Sequence, residues 1–146
     1  MKVYLDNCCF NRPFDDQKQL RIRLETQAKL AIQEMIKNEK LQLAWSFMMD
    51  YENSKNNNIS RQFEINKWAN LAVEYNIGDD NVLAMAKGFQ NIGMKKKDSL
   101  HLACAIDSKC EYFITTDDGI LKKSEIVKKV SLINPVDFII LSGGQE

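Results

Sequence analysis

Four apolar runs of strand length, residues 2–5, 41–45, 111–116 and 129–135, alternate along this chain with stretches whose apolar residues recur every three or four positions. That alternation constrains the fold more than any other feature of the sequence. Antiparallel neighbours can be joined by a two-residue turn, whereas parallel strands need a crossover of a dozen residues or more, which helices supply. The pattern therefore predicts an α/β chain with a mostly parallel central sheet and helices on both faces. In such sheets ligands collect beyond the carboxyl ends of the strands, so the residues that follow each strand carry the most functional information.

Between the strands, residues 7–17 (NCCFNRPFDDQ) combine a proline with Asn and Asp and are expected to form a loop. Asp16 with Gln19 resembles a capping box, and Leu20, Leu24, Ala28, Ala31 and Met35 predict an amphipathic helix out to about Asn38. Ser46 is placed to cap a helix over residues 47–54, and the polar run 53–58 breaks it. Helices are expected over residues 59–75, held by Phe63, Trp68, Leu71 and Ala72, and over residues 80–91. Residues 95–109 predict a helix so apolar between Leu100 and Ile106 that it must be buried on most sides, and residues 136–141 fit either a short helix or an edge strand.

A chain of 146 residues that is 45% hydrophobic can bury one core comfortably and two poorly, so a single domain over residues 1–146 is expected. Twenty basic residues balance twenty acidic ones, and any affinity for a polyanion must be local. Cys8 and Cys9 are adjacent and Cys104 and Cys110 lie six apart, which fits neither a zinc site nor a disulfide framework. With no secretory leader and no apolar run near 18 residues, the expectation is a soluble cytoplasmic protein with no membrane partner.

Four acids stand out against this frame. Asp6 follows the first strand and Asp117 follows the third, so parallel strands would bring both to one sheet edge. Glu52 lies three and four residues after Met49 and Met48, on the inward stripe of its helix. Asp98 opens the helix whose Leu102 and Ala105 share its face, near an N-terminus that favours negative charge. Singly, each has an ordinary explanation: Asp98 as an N-cap, Asp117 or Asp118 as a turn residue, Glu52 as a partner of Lys55, Asp6 as a loop former. Together these explanations do less well, because two of the acids interrupt stripes that should be apolar, and like charges at close range raise one another's pKa or recruit a cation. Carboxylate ligands without a His or Cys set suit Mg²⁺ or Mn²⁺ rather than zinc. Such an ion can orient a water and neutralise charge on a phosphodiester, which points to phosphate-ester chemistry.

The blocks VYLDNCCFNRPFDDQ, Ser46 with Glu52 six residues on, KKKDSLHLACA and YFITTDD, in this order over nearly the whole chain, resemble those of the PIN domain, the fold of VapC-type toxin ribonucleases and related nucleases. The resemblance implies a three-layer α/β/α sandwich with a mostly parallel central sheet. It also implies Mg²⁺- or Mn²⁺-dependent endonucleolytic cleavage of RNA, leaving 5′-phosphate and 3′-hydroxyl ends. It assigns Asp6, Glu52, Asp98 and Asp117 to an acidic quartet that holds one or two ions. Thr115 takes the place of a hydroxyl residue that positions the metal shell, and Asp118 that of an auxiliary ligand or a plain turn residue. Asn7 stands where the family often has Thr or Ser, and its amide can still coordinate or hold a water. A toxin role would add an antitoxin protein, and the family favours a homodimer. The rival from another class is a non-catalytic PIN-like module that binds RNA or a protein partner. A flavodoxin-like or phosphatase-type domain lacks support, with no glycine-rich phosphate loop and no DxD after the first strand.

His101, the only histidine, is read as a buried ring satisfying a local hydrogen bond and stands outside this site set. Arg12, Lys95, Lys96 and Lys97 flank the acids and could hold substrate phosphates, with solvated surface cations as the alternative. Trp45 and Trp68 are assigned to packing, Phe10 and Phe14 are open to base stacking, and the four cysteines are read as small buried apolar residues.

Overall fold

The computed structural model describes residues 1–143. Five strands, β1 (Lys2–Leu5), β2 (Gln42–Ser46), β3 (Glu74–Asn76), β4 (Tyr112–Ile114) and β5 (Ser131–Ile133), form one sheet in the order β3-β2-β1-β4-β5. All four pairings are parallel. The helices among the described residues are α1 (Asn7–Asn11), α2 (Leu20–Lys37), α3 (Phe47–Ser54), α4 (Ile59–Asn66), α5 (Asp80–Asn91), α6 (Lys96–Asp107), α7 (Asp118–Leu121) and α8 (Pro135–Ser142). This is the expected α/β/α sandwich, with one strand more than the four expected.

β1 is apolar without alternation because it is covered on both faces, as a central parallel strand must be. Val3, Tyr4 and Leu5 are all buried, and Tyr4 sits in register between Ala44 and Phe113 with its ring stacked on Phe113 at 5.3 Å. The chain runs from β1 outward through β2 to β3 and returns to β4 on the other side of β1. Right-handed crossovers in opposite directions place the connecting helices on opposite faces; α2 packs with α8, and α5 with α6. The strand order reverses between β1 and β4, and an open parallel sheet holds its ligands beyond the carboxyl ends of its strands at such a point.

Several expectations change. Residues 7–17 are no simple loop: Asp6 caps α1 by accepting the Asn7 N–H at 2.8 Å, and a 3₁₀ turn (Arg12–Phe14) follows. The capping box does not form, since Asp16 takes the Lys18 N–H at 3.0 Å and Gln19 at the N-cap makes no side-chain bond. In α2 the inward stripe is rotated, with Glu25, Ala28, Lys29, Ile32, Met35 and Ile36 buried while Leu20 and Leu24 are 60% and 43% exposed. Polar residues on the buried side hid that stripe.

The segment expected as one helix over 59–75 divides into α4, a 3₁₀ turn (Lys67–Leu71) and β3. β3 pairs only with β2, so it is an edge, and Lys2 anchors it through Glu74 at 2.6 Å. Phe63 and Leu71, assigned to the core, are exposed. Residues 136–141 resolve as helix, with Asn134 capping through the Val136 N–H at 2.8 Å and Pro135 in the first turn, where no donor is missed.

Gly78, after β3, has φ +74°, and an added Cβ would run into the Phe47 ring. Gly78→Ala is expected to cost about 2 kcal/mol, combining left-handed backbone strain with overpacking, read as a lower urea midpoint. No described helix is long and apolar enough to cross a membrane.

Candidate active site

The carboxyl ends of β1, β2 and β4 each deliver a piece of one polar cluster. Asp6, the residue after β1, is buried, and its two oxygens are differently engaged: Oδ1 takes the Asn7 N–H, and Oδ2 takes the Thr115 hydroxyl at 2.8 Å. The Cys8 thiol approaches the same Oδ2 at 3.5 Å. Glu52 is presented by α3, whose start is fixed where Ser46 Oγ, at the end of β2, accepts the Met49 N–H at 3.3 Å.

From the opposite side α6 contributes His101, buried, with Nε2 bonded to Glu52 and Nδ1 at 2.6 Å from the Tyr4 hydroxyl. That hydroxyl lies a further 2.6 Å from Ser46 Oγ. A polar chain, Ser46–Tyr4–His101–Glu52, thus runs from the sheet interior to the site. One ligand atom each from Asp6, Glu52 and His101 lies within 4.8 Å of the others.

Asp98 and Asp117 stand outside that tight group. Asp98 lies in the first turn of α6, close enough for Asp117 and Asp6 to act on its charge. Asp117 caps α7, accepting the Gly119 N–H at 2.8 Å on Oδ1, while its own N–H donates to Thr115 Oγ1 at 3.0 Å. The buried Thr115 hydroxyl therefore ties Asp6 to the backbone of Asp117.

Asp118 turns away to a two-pronged contact with Arg21 at 2.8 and 2.9 Å, which favours its turn reading. Arg12 is held by Glu25 at 2.8 Å and Asp15 at 3.0 Å, so its charge is already matched within the fold. Lys97 acts on Glu52 across the gap between α6 and α3. Three cysteines are buried as expected, whereas Cys8 is half-buried against Asp6 and Thr115. Trp45 and Phe10 pack edge to face in the core, and Phe14 is exposed beneath the Arg61 guanidinium.

Burial pushes the Asp6 carboxyl up, with the Glu52 charge adding and His101 opposing. Asp98 is pushed up to about 6, first by burial and then by Asp117 and Asp6. Burial alone would lower His101, but the hydrogen bond to Glu52 and the charges of Asp6, Glu52 and Asp98 outweigh it and raise it. Burial would raise Glu52, yet the bond and charge of His101, with help from Lys97, bring it down.

A folded-state pKa raised above 3.8 means that the folded protein holds the Asp98 proton more tightly, so its stabilising effect is lost as pH rises through about 6. With the discount due to a half-exposed group, Asp98→Asn is expected to gain about 1 kcal/mol on the parent between about pH 4 and pH 6.5 without divalent metal. Paired urea titrations across that range check it.

The donor set fits a hard divalent ion. Carboxylates dominate it, and Asn7 Oδ1 beside them is buried without a hydrogen-bond partner. His101, left out of the sequence-based set, belongs to the cluster. Its position three residues after Asp98 was the available signal, but an apolar helix looks the same whether its histidine only packs or also reaches a carboxylate.

No family model matches the chain, and no curated protein matches it by sequence. Among solved structures it is similar to a chain of VapBC2 from Rickettsia felis bound to a DNA fragment from their promoter, with a TM-score of 0.56 and 13% identity. The superposition covers 92% of this chain and 98% of that one. At this identity the likeness is one of architecture, and it extends over nearly the whole of both chains.

Proposed function

We propose that this chain is a single-domain, PIN-like endoribonuclease dependent on Mg²⁺ or Mn²⁺, acting in the cytoplasm as the toxin of a toxin–antitoxin pair. The observation that carries the reading is the convergence of Asp6 and Glu52, with the charges of Asp117 and Asp6 both acting on Asp98, at the switch point of a parallel sheet. Such a cluster is costly without a counter-charge. The VapBC2 likeness supports a PIN-like architecture and an antitoxin partner; a homodimer follows the same family pattern.

Asp6, Glu52, Asp98 and Asp117 would hold one or two ions, with Asn7 as a neighbouring donor. A bound divalent ion supplies water activation and charge neutralisation on a phosphodiester. The chain's own residues set up that chemistry. Thr115 fixes the Asp6 carboxylate, while Tyr4 and His101 fix Glu52 from behind, as partners of a ligating carboxylate do. Lys97, adjacent to Asp98 and acting on Glu52, would meet substrate phosphate.

A ligand that binds only the folded protein stabilises it by about 2.7 kcal/mol at a hundred times its Kd. Saturating Mn²⁺ is therefore expected to raise Tm by about 5–10 °C. No shift at millimolar metal would favour the non-catalytic binding module. Cleavage of single-stranded RNA in Mn²⁺, abolished by EDTA, tests the activity itself. Co-expression with the adjacent reading frame tests the antitoxin.

A further inference from the structure

An enzyme that cuts a polymer must seat the nucleotides beside the scissile phosphate as well as the phosphate. Immediately before Glu52, Tyr51 is 47% exposed on α3 and stands outside the buried apolar cluster. Two ammonium groups attend its ring, Lys55 Nζ at 5.1 Å from the centroid and Lys97 Nζ at 5.9 Å. The same ring walls a groove of about 370 Å³ formed with Phe47, Met48, Leu100, Lys96 and Lys97. The groove adjoins the carboxylates, since Tyr51 precedes Glu52, Lys97 precedes Asp98, and the Lys97 charge acts on Glu52.

The geometry points to this groove as the seat of a nucleotide flanking the scissile phosphate of single-stranded RNA, its base against Tyr51 and its phosphates held by Lys55, Lys96 and Lys97. The inference rests on the ribonuclease reading and gives it a substrate-binding surface. Charge decides the occupant. A neutral peptide would fill the apolar floor and leave three ammonium groups unmatched, whereas a nucleotide offers a flat π-face to the floor and anions to the rim. A base that stacks on the ring displaces one ammonium, and the flexible four-carbon stem lets that lysine swing to the neighbouring phosphate. The chain as a whole is charge-neutral, so this cationic rim beside an acidic centre is a local feature.

The test measures binding of a labelled single-stranded RNA decamer to the full chain in Mg²⁺, with cleavage blocked by Asp6→Asn. Adding Tyr51→Ala is expected to weaken binding about tenfold to a hundredfold, the range of one lost base stack. Tyr51→Phe and Tyr51→Trp, which keep a ring, should stay within about twofold. Lys97→Ala should reduce the slope of log affinity against log salt by about 0.7, one phosphate contact on a single strand. Equal affinity for Tyr51→Ala and its parent, or no RNA binding at all, would overturn the assignment. Cleavage kinetics with Asp6 intact separate the two readings. A parent that cuts RNA with KM unmoved by Tyr51→Ala removes the groove and keeps the nuclease. Tyr51-dependent binding in a protein that never cuts keeps the groove and removes the nuclease.

Discussion

Asp6→Asn is expected to lower Mn²⁺-dependent RNA cleavage by about a hundredfold to ten-thousandfold while leaving the fold in place. The loss follows from removing one negative charge where divalent charge must be held: metal-ion stabilisation of a phosphoryl transition state amounts to several kcal/mol, at about 1.4 kcal/mol per factor of ten. The fold should tolerate the change because burial already favours a neutral group at this position and pushes the Asp6 carboxyl up. The amide oxygen can still accept the Asn7 N–H, and the Thr115 hydroxyl, a donor in the parent, can rotate to accept from the new NH₂. Stability in urea should stay within about 1 kcal/mol. Cleavage by Asp6→Asn at the parent rate would show that the ligand set has been misplaced.

The elements legible in the sequence are those whose local chemistry and tertiary role agree. α5 begins where Asp79 takes the Val82 N–H at 3.1 Å, and its expected span, residues 80–91, is its observed span. β1 reads correctly because both of its faces are buried. β3 escaped because it is a three-residue edge strand with one neighbour, and its exposed Tyr75 and the exposed Val73 before it carry little core signal. Leu71, Val73 and Tyr75 do alternate, with Leu71 still in the preceding turn, and that period of two was the cue against a helix.

The meeting of Asp6 and Glu52 was legible for a different reason: parallel strands carry the residues that follow them to one edge, and the inward stripe of α3 turns Glu52 toward it. What escaped was the polar support behind the two carboxylates. Tyr4 occupies an apolar run and reads as core, which it is, yet its hydroxyl holds His101 and Ser46 together. A phenol that both packs on Phe113 and orients a histidine leaves the same mark in a sequence as one that only packs.

Glu25→Ala is expected to cost about 3–5 kcal/mol of stability and to loosen the loop that carries Asp117. The Glu25 side chain is 1% exposed and accepts from Arg12 Nε at 2.8 Å, Arg21 Nε at 3.2 Å and Asn134 Nδ2 at 2.5 Å. It binds α2 to the turn after α1 and to the cap of α8. Truncation would leave the largely buried Arg12 with only Asp15, and losing one member of a buried pair costs far more than never having built it. Replacing both partners with apolar residues, as in Arg12→Met with Glu25→Leu, should recover most of the loss, which distinguishes a stranded charge from a packing defect. Arg21 extends the effect to the site. It grips Asp118 with both terminal nitrogens and the Thr116 carbonyl at 3.1 Å, one residue from both Thr115 and Asp117. Freed of Glu25, Arg21 holds that loop less firmly, so the Mn²⁺-induced rise in Tm should shrink in Glu25→Ala. An unfolding free energy from urea titration within about 1 kcal/mol of the parent would reduce the network to the worth of an exposed ion pair.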